Sequence, residues 1–149
     1  MEQAYGWALE KATTLPTRYA RALIKFDLSS IPANAVITSA TLSLWTANDL
    51  SDNTRTIRVY RLKRAFNESQ ATWNLASTGV NWEVAGAPGV NDRESTDIGS
   101  LQILASEALN TEKQISLSTA QIDSSRVLRK KSFNPSLRSL ICCGRNSGR

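Results

Sequence analysis

The chain has 149 residues, a formal charge of +5 and 41% hydrophobic residues. That is one domain's length, enough to bury a core without disulfides or metals, with the composition of an ordinary globular protein. It contains no histidine, which excludes Ser-His-Asp and Cys-His catalysis, histidine-based zinc sites and the commonest general base.

The charge is unevenly placed. Residues 1–120 hold 11 Lys/Arg and 12 Asp/Glu, a net of −1, whereas residues 121–149 hold 7 Lys/Arg and only Asp123, a net of +6. Basicity therefore belongs to the tail. The division expected is a sandwich body at 1–120 and a basic, diverged or poorly ordered tail at 121–149. A tail of this kind attracts phosphates without specificity, so a nucleic-acid partner is not expected. Cys142 and Cys143 are adjacent in the tail, too close for ordinary disulfide geometry. No apolar run reaches the roughly 18 residues of a membrane span. The first residues, Met1-Glu2-Gln3-Ala4-Tyr5-Gly6-Trp7, lack a basic and then apolar leader pattern. The expectation is assembly inside a cell, or a true start further upstream.

In chain order, Ile24, Phe26 and Leu28 share one parity, and Leu23, Lys25 and Asp27 the other. This is a strand with one apolar face. Ile31-Pro32-Ala33-Asn34-Ala35 ends it, because proline offers no ladder N–H. Val36, Ala40, Leu42 and Leu44 then alternate with Ile37, Ser39, Thr41, Ser43 and Trp45, which predicts a second strand with a solvated outer face. The polar cluster at 48–53 is a turn. A third strand carries Ile57 and Val59 inward, with Thr56, Arg58 and Tyr60 outward, and becomes irregular near Arg61-Leu62. Residues 65–95 read as loop with Trp73 and Trp82 embedded. Such a stretch is long for a compact domain and is expected to hide short strands. Residues 95–100 and 113–118 read as further strands.

The run Arg21-Ala22-Leu23-Ile24-Lys25-Phe26-Asp27-Leu28-Ser29-Ser30-Ile31-Pro32, followed by Ile37-Thr38-Ser39-Ala40-Thr41-Leu42-Ser43-Leu44, resembles the DNRLRE-type module. That family is related to disaggregatase-associated repeats and to a carbohydrate-binding module family. Ile57-Arg58-Val59-Tyr60-Arg61-Leu62, Ser69-Gln70-Ala71-Thr72-Trp73-Asn74 and Asn91-Asp92-Arg93-Glu94-Ser95-Thr96 match in the same order. The resemblance covers roughly residues 18–118. It implies an all-β, antiparallel jelly-roll-like sandwich used as a non-catalytic module, in secreted polysaccharide-processing and adhesive proteins or in phage structural proteins. Two departures stand out. The family opens with a strand before its Asn-Tyr-Gly-like turn, and here Ala4-Tyr5-Gly6 stands almost at the start. The family closes with a strand of bulky aliphatics, and here that place holds Arg126-Val127-Leu128-Arg129-Lys130-Lys131 and then Leu137-Arg138-Ser139-Leu140-Ile141-Cys142-Cys143, with Phe133-Asn134-Pro135-Ser136-Leu137 alone resembling the expected approach to it. A truncated start and a diverged or frame-shifted end are the reading. A sandwich short of a terminal strand offers an open edge to a protein partner or a second copy.

For ligand binding, Trp45 and Tyr60 fall on outward parities and are the candidate sugar-stacking rings. Arg58 and Lys25 supply charge for an anionic polymer such as a uronate chain. Trp73 is read as core, and Trp82 stays open. Glu68 and Glu83 flank the tryptophan-rich loop and offer a carboxylate pair that could act on a glycoside, with loop acids facing solvent as their plainer reading. Asp49 with Asp52, and Asp92 with Glu94 and Asp97, offer oxygens for a structural calcium. Neither has EF-hand spacing, and Asx turns explain them as well. No catalytic residue, metal site or cofactor is assigned. The expected function is surface binding of a polysaccharide in an extracellular or particle-surface assembly. The alternative is a phage virion decoration or fibre component that assembles through its sheet edges.

Overall fold

The computed structural model describes residues 5–11, 19–28, 30–32, 34–46, 54–105, 110–122 and 138–145. Among these the chain is antiparallel β-structure with a single helical turn at 119–122. The strands are β1 (Tyr5–Lys11), β2 (Tyr19–Phe26), β3 (Thr41–Thr46), β4 (Arg55–Arg61), β5 (Leu75–Ser77), β6 (Val80–Asn81), β7 (Gly99–Ile103), β8 (Thr111–Ser116) and β9 (Arg138–Arg145). Five form one sheet in the order β1-β2-β9-β4-β7, and β3 pairs with β8 in a second. The all-β, antiparallel class expected from the alternation is the class found.

The two sheets enclose Ile24 of β2, Val59 of β4, Leu42 of β3, Ile115 of β8, and Ile98. Phe26, Leu44, Ile57 and Leu101 pack around them. Inward parity in β2, β3 and β4 was read correctly from period two. The second strand is shorter than expected: residues 35–40 make no ladder, and Val36 is 80% exposed.

One face of β2 was misread. Leu23 was placed on the outward parity, yet it is fully buried while its neighbour Ile24 is 4% exposed. Successive residues on a strand point to opposite faces, so the five-stranded sheet is covered on both sides. Leu62, Phe66, Ala76, Trp82 and Ala87 form the second cover over Leu23. The long loop thus becomes a third layer. It contains the short strands that its length called for: β5 and β6 form a hairpin whose turn places Gly79 at φ 75°, a region glycine enters without steric cost. Backbone bonds knit the layer further, from Asn67 N–H to Ala76 O (3.0 Å), Thr72 N–H to Leu75 O (2.9 Å) and Trp82 N–H to Asn74 O (3.0 Å).

Both departures from the family pattern coincide with strands. Tyr5 is the first residue of β1, which pairs with β2 from Tyr5↔Lys25 to Lys11↔Tyr19. Within the basic segment, β9 runs between β2 and β4, pairing Ala22↔Cys142 on one side and Val59↔Cys142 on the other. Charge therefore does not mark where pairing stops. A ladder uses backbone groups, which charged residues supply as well as apolar ones. Residues 126–131 and the approach at 133–137 lie outside the described residues.

Candidate functional site

Two outer surfaces carry the residues singled out for binding. The first is the outer face of the β3–β8 sheet. With Leu42 and Ile115 buried and Leu44 packed against the core, alternation sends Thr41, Ser43 and Trp45 of β3 outward. The register sets Trp45 opposite Glu112, Ser43 opposite Gln114 and Thr41 opposite Ser116, and all six are exposed. They form an array about 5 Å wide and roughly 14 Å long. Trp45 is 69% exposed, a large apolar ring on an otherwise hydrophilic surface. Gln114 Nε2 donates to Glu112 Oε1 at 3.5 Å, leaving an amide and a carboxylate side by side next to the indole.

The second surface is the opposite face of the five-stranded sheet, where Lys25, Arg58 and Tyr60 project. These three do not share a face with Trp45, so the stacking ring and the cations expected to cooperate are held apart by both sheets. They are also engaged. The Arg93 guanidinium lies 3.6 Å from the centroid of the Tyr60 ring, and Tyr60 packs against the Leu23 cluster. Lys25 stands 5.7 Å over Phe66. Arg58 is exposed but pairs with Asp97 at 2.5 Å, and this hydrogen bond and the charge behind it raise the guanidinium's pKa. Arg21 donates to Gly86 O and stands 5.2 Å over the Trp73 ring. Gly86, at φ 82°, permits this approach; a Cβ there would meet both Arg21 and the Trp73 ring at 2.7 Å.

The remaining candidates hold the third layer in place. Trp82 is buried and donates its indole N–H to Thr72 O at 3.0 Å, while Trp73 is half-buried against the same cluster. Glu83 accepts from the Asn91 backbone and side-chain N–H groups at 2.7 and 3.1 Å, and Glu68 is half-buried. Asp92 is fully buried and accepts from Arg64 Nε (2.6 Å), Glu83 N–H (3.0 Å) and Val84 N–H (3.1 Å). Burial alone pushes its carboxyl up, but these hydrogen bonds and the Arg64 charge outweigh it and leave it below the ordinary carboxylate value. Burial likewise opposes Glu94, and Arg61 and Lys63 overcome it. Asp92, Glu94 and Asp97 thus each meet a cation. Among the described residues no three acids come together as a metal cage; Asp49 and Asp52 lie outside them.

Comparison with known families gives this geometry its meaning. The chain matches carbohydrate-binding module family 96 over residues 8–118, a span that runs from β1 through β8. The chain belongs to carbohydrate-binding module family 96. No curated protein matches it. The family is one of carbohydrate-binding modules, which are typically non-catalytic. Among the described residues no helix is long and apolar enough to cross a membrane.

Sequence reasoning missed Ser43, Glu112 and Gln114 as neighbours of Trp45. Their polar parity is visible in each strand. The pairing of β3 with β8 is not, because it joins segments some 70 residues apart.

Proposed function

We propose that this family 96 module is a non-catalytic, jelly-roll-like unit related to the DNRLRE type, which binds polysaccharide on the outer face of β3–β8. The observation that carries the reading is the 69% exposure of Trp45 at the end of a hydrophilic strand face. A planar ring of this kind stacks on the apolar face of a sugar and excludes water. Gln114, Glu112 and Ser43 supply donors and acceptors for hydroxyl groups around the ring. Pockets of this chemistry work by a few placed polar groups beside an aromatic surface, and here the surface is open enough for a polymer.

Affinity gel electrophoresis on a panel of soluble polysaccharides tests this. Trp45→Ala should lose at least about tenfold in affinity for the retained polymer, with unchanged thermal unfolding. Retention equal to the unaltered protein would remove the Trp45 face from the account.

A second reading, a structural component of a virion or other particle, draws on the sheet ends. β1 and β7 close the five-stranded sheet at either side, each paired on one side only among the described strands. An edge of this kind accepts a further strand. Light scattering after size exclusion separates the readings: defined oligomers with no retention on any glycan favour assembly. In both readings the module works outside the cell or on a particle surface.

A further inference from the structure

We propose that residues 63–92, the third layer, form a flap that opens as a unit on acidification, with Asp92 as its latch, while the sandwich between the two sheets stays closed. The opening is independent of which face takes a glycan.

Topology makes the opening local. The chain leaves β4 at Leu62 and returns at Arg93, and these two residues meet in an antiparallel bridge. On either side of it Glu94 N–H donates to Arg61 O at 2.9 Å and Lys63 N–H to Asp92 O at 2.8 Å. An excursion pinched together at its two ends can swing away without pulling on the strands that carry it. Packing is divided along the same line. Phe66, Ala76, Trp82 and Ala87 cover Leu23 on one face of the five-stranded sheet, whereas Ile24, Leu42, Val59, Ile98 and Ile115 pack on the other. The flap also holds strain. Ala87 is buried at φ 63°, a backbone region that residues other than glycine enter at a cost.

Asp92 ties the flap to its own base. Its buried carboxylate accepts from Arg64 Nε beside the pinch, and from the Glu83 and Val84 N–H groups farther into the flap. The charged groups around this latch are Arg64, Glu83, which holds Asn91, and Glu94 with Arg61 and Lys63. Beyond them Arg93 lies over Tyr60 and Arg58 meets Asp97. From β2, Arg21 and Lys25 face the flap as cations. Protonating Asp92 removes the anion that Arg64 and two backbone donors share, in a place where water does not replace it. Protonating Glu94 and Asp97 as well leaves Arg58, Arg61, Lys63, Arg64 and Arg93 as neighbours of like charge along the base. The folded pKa values of Asp92 and Glu94 lie below their ordinary ones. The hold is therefore complete above about pH 4 and is lost as pH falls through those lower values.

Hydrogen exchange of the full chain, corrected for the intrinsic effect of pH, tests this at about pH 7 and about pH 3. The amides of Asn67, Thr72, Trp82 and Gly86 are bonded within the flap and should lose at least about tenfold in protection at the lower pH. Those of Leu117 and Ser118, bonded to Ala40 and Ile98 of the sandwich, should stay within about threefold. In Asp92→Asn, which keeps the shape and removes the charge, flap amides should be weakly protected already at about pH 7 and change less than about threefold with pH. Arg64→Met leaves Asp92 charged without its cation and should move the loss of flap protection to higher pH. Equal losses in flap and sandwich amides, or flap protection unmoved at about pH 3, overturn the separate flap. A full acid response in Asp92→Asn, or an unshifted one in Arg64→Met, overturns Asp92 as the latch.

Discussion

The outer face of β3–β8 and the outer face of the five-stranded sheet begin from the same sequence signal and end in opposite states. Each presents an aromatic on the polar parity of a strand: Trp45 in one, Tyr60 in the other. Trp45 remains open. Tyr60 lies beneath Arg93, against a second core built by residues 62–87. Outward parity says which side of a strand a residue takes. What later folds over that side decides whether it meets solvent. The difference also sorts the charges: cations on the covered face meet the loop layer, whereas Glu112 on the open face stays exposed.

If the covered face is a core, cutting into it should cost stability and spare binding. Leu23→Ala should lower the unfolding free energy by about 2–5 kcal/mol, seen as an earlier denaturation midpoint with affinity per folded molecule unchanged. A loss near zero would put Leu23 back on the surface. Asp92→Asn removes the buried anion that Arg64 and two backbone N–H groups share, and should cost about 2–3 kcal/mol in the same assay.

The open face should respond the other way round. Where Trp45→Ala weakens binding without moving the melt, Tyr60→Ala should move the melt by several degrees and leave affinity within about twofold. Equal binding losses in the two variants would erase the distinction between the faces.

Acid should loosen the covered face selectively. Asp92 and Glu94 both have folded pKa values below their ordinary ones. Their stabilisation is complete above the unfolded carboxylate pKa, near 4, and is lost as pH falls through the lower folded values. Thermal midpoints should be level above about pH 5 and drop below it, and the drop should be shallower in Asp92→Asn. The smallest effect is reserved for Arg58→Ala. Its ion pair with Asp97 is exposed and screened by solvent, so neither the thermal midpoint nor binding should change measurably.

Much of the sandwich was legible because its signal is local. Ile24, Leu42 and Val59 announce themselves by alternation, and Pro32 marks the end of β2's run. The outward placement of Trp45 came from the same rule. The second core was not legible, because Leu23 is covered by residues about 40 to 60 positions later whose own pattern is irregular. Lys25 and Tyr60 take the parities opposite to Ile24 and Val59, and the same long-range cover changed what their side of the sheet means. β9 was hidden differently: Arg138 and Arg145 flank its apolar run, and composition over the whole tail outweighed a pattern four residues long.

The position of β9 bears on how the molecule is made. It comes from residues 138–145, yet it separates β2 from β4. During synthesis from the N-terminus, the β1–β2 hairpin and the β4–β7 pair can form while the slot between them stays vacant. Each then shows a bare hydrogen-bonding rim until β9, the last of the described strands, leaves the ribosome and enters between them. The sheet is therefore completed from its middle, by a strand made later than both of its neighbours. A long-range closure of this sort is slow, and a stalled or prematurely stopped chain exposes two rims to its neighbours at once.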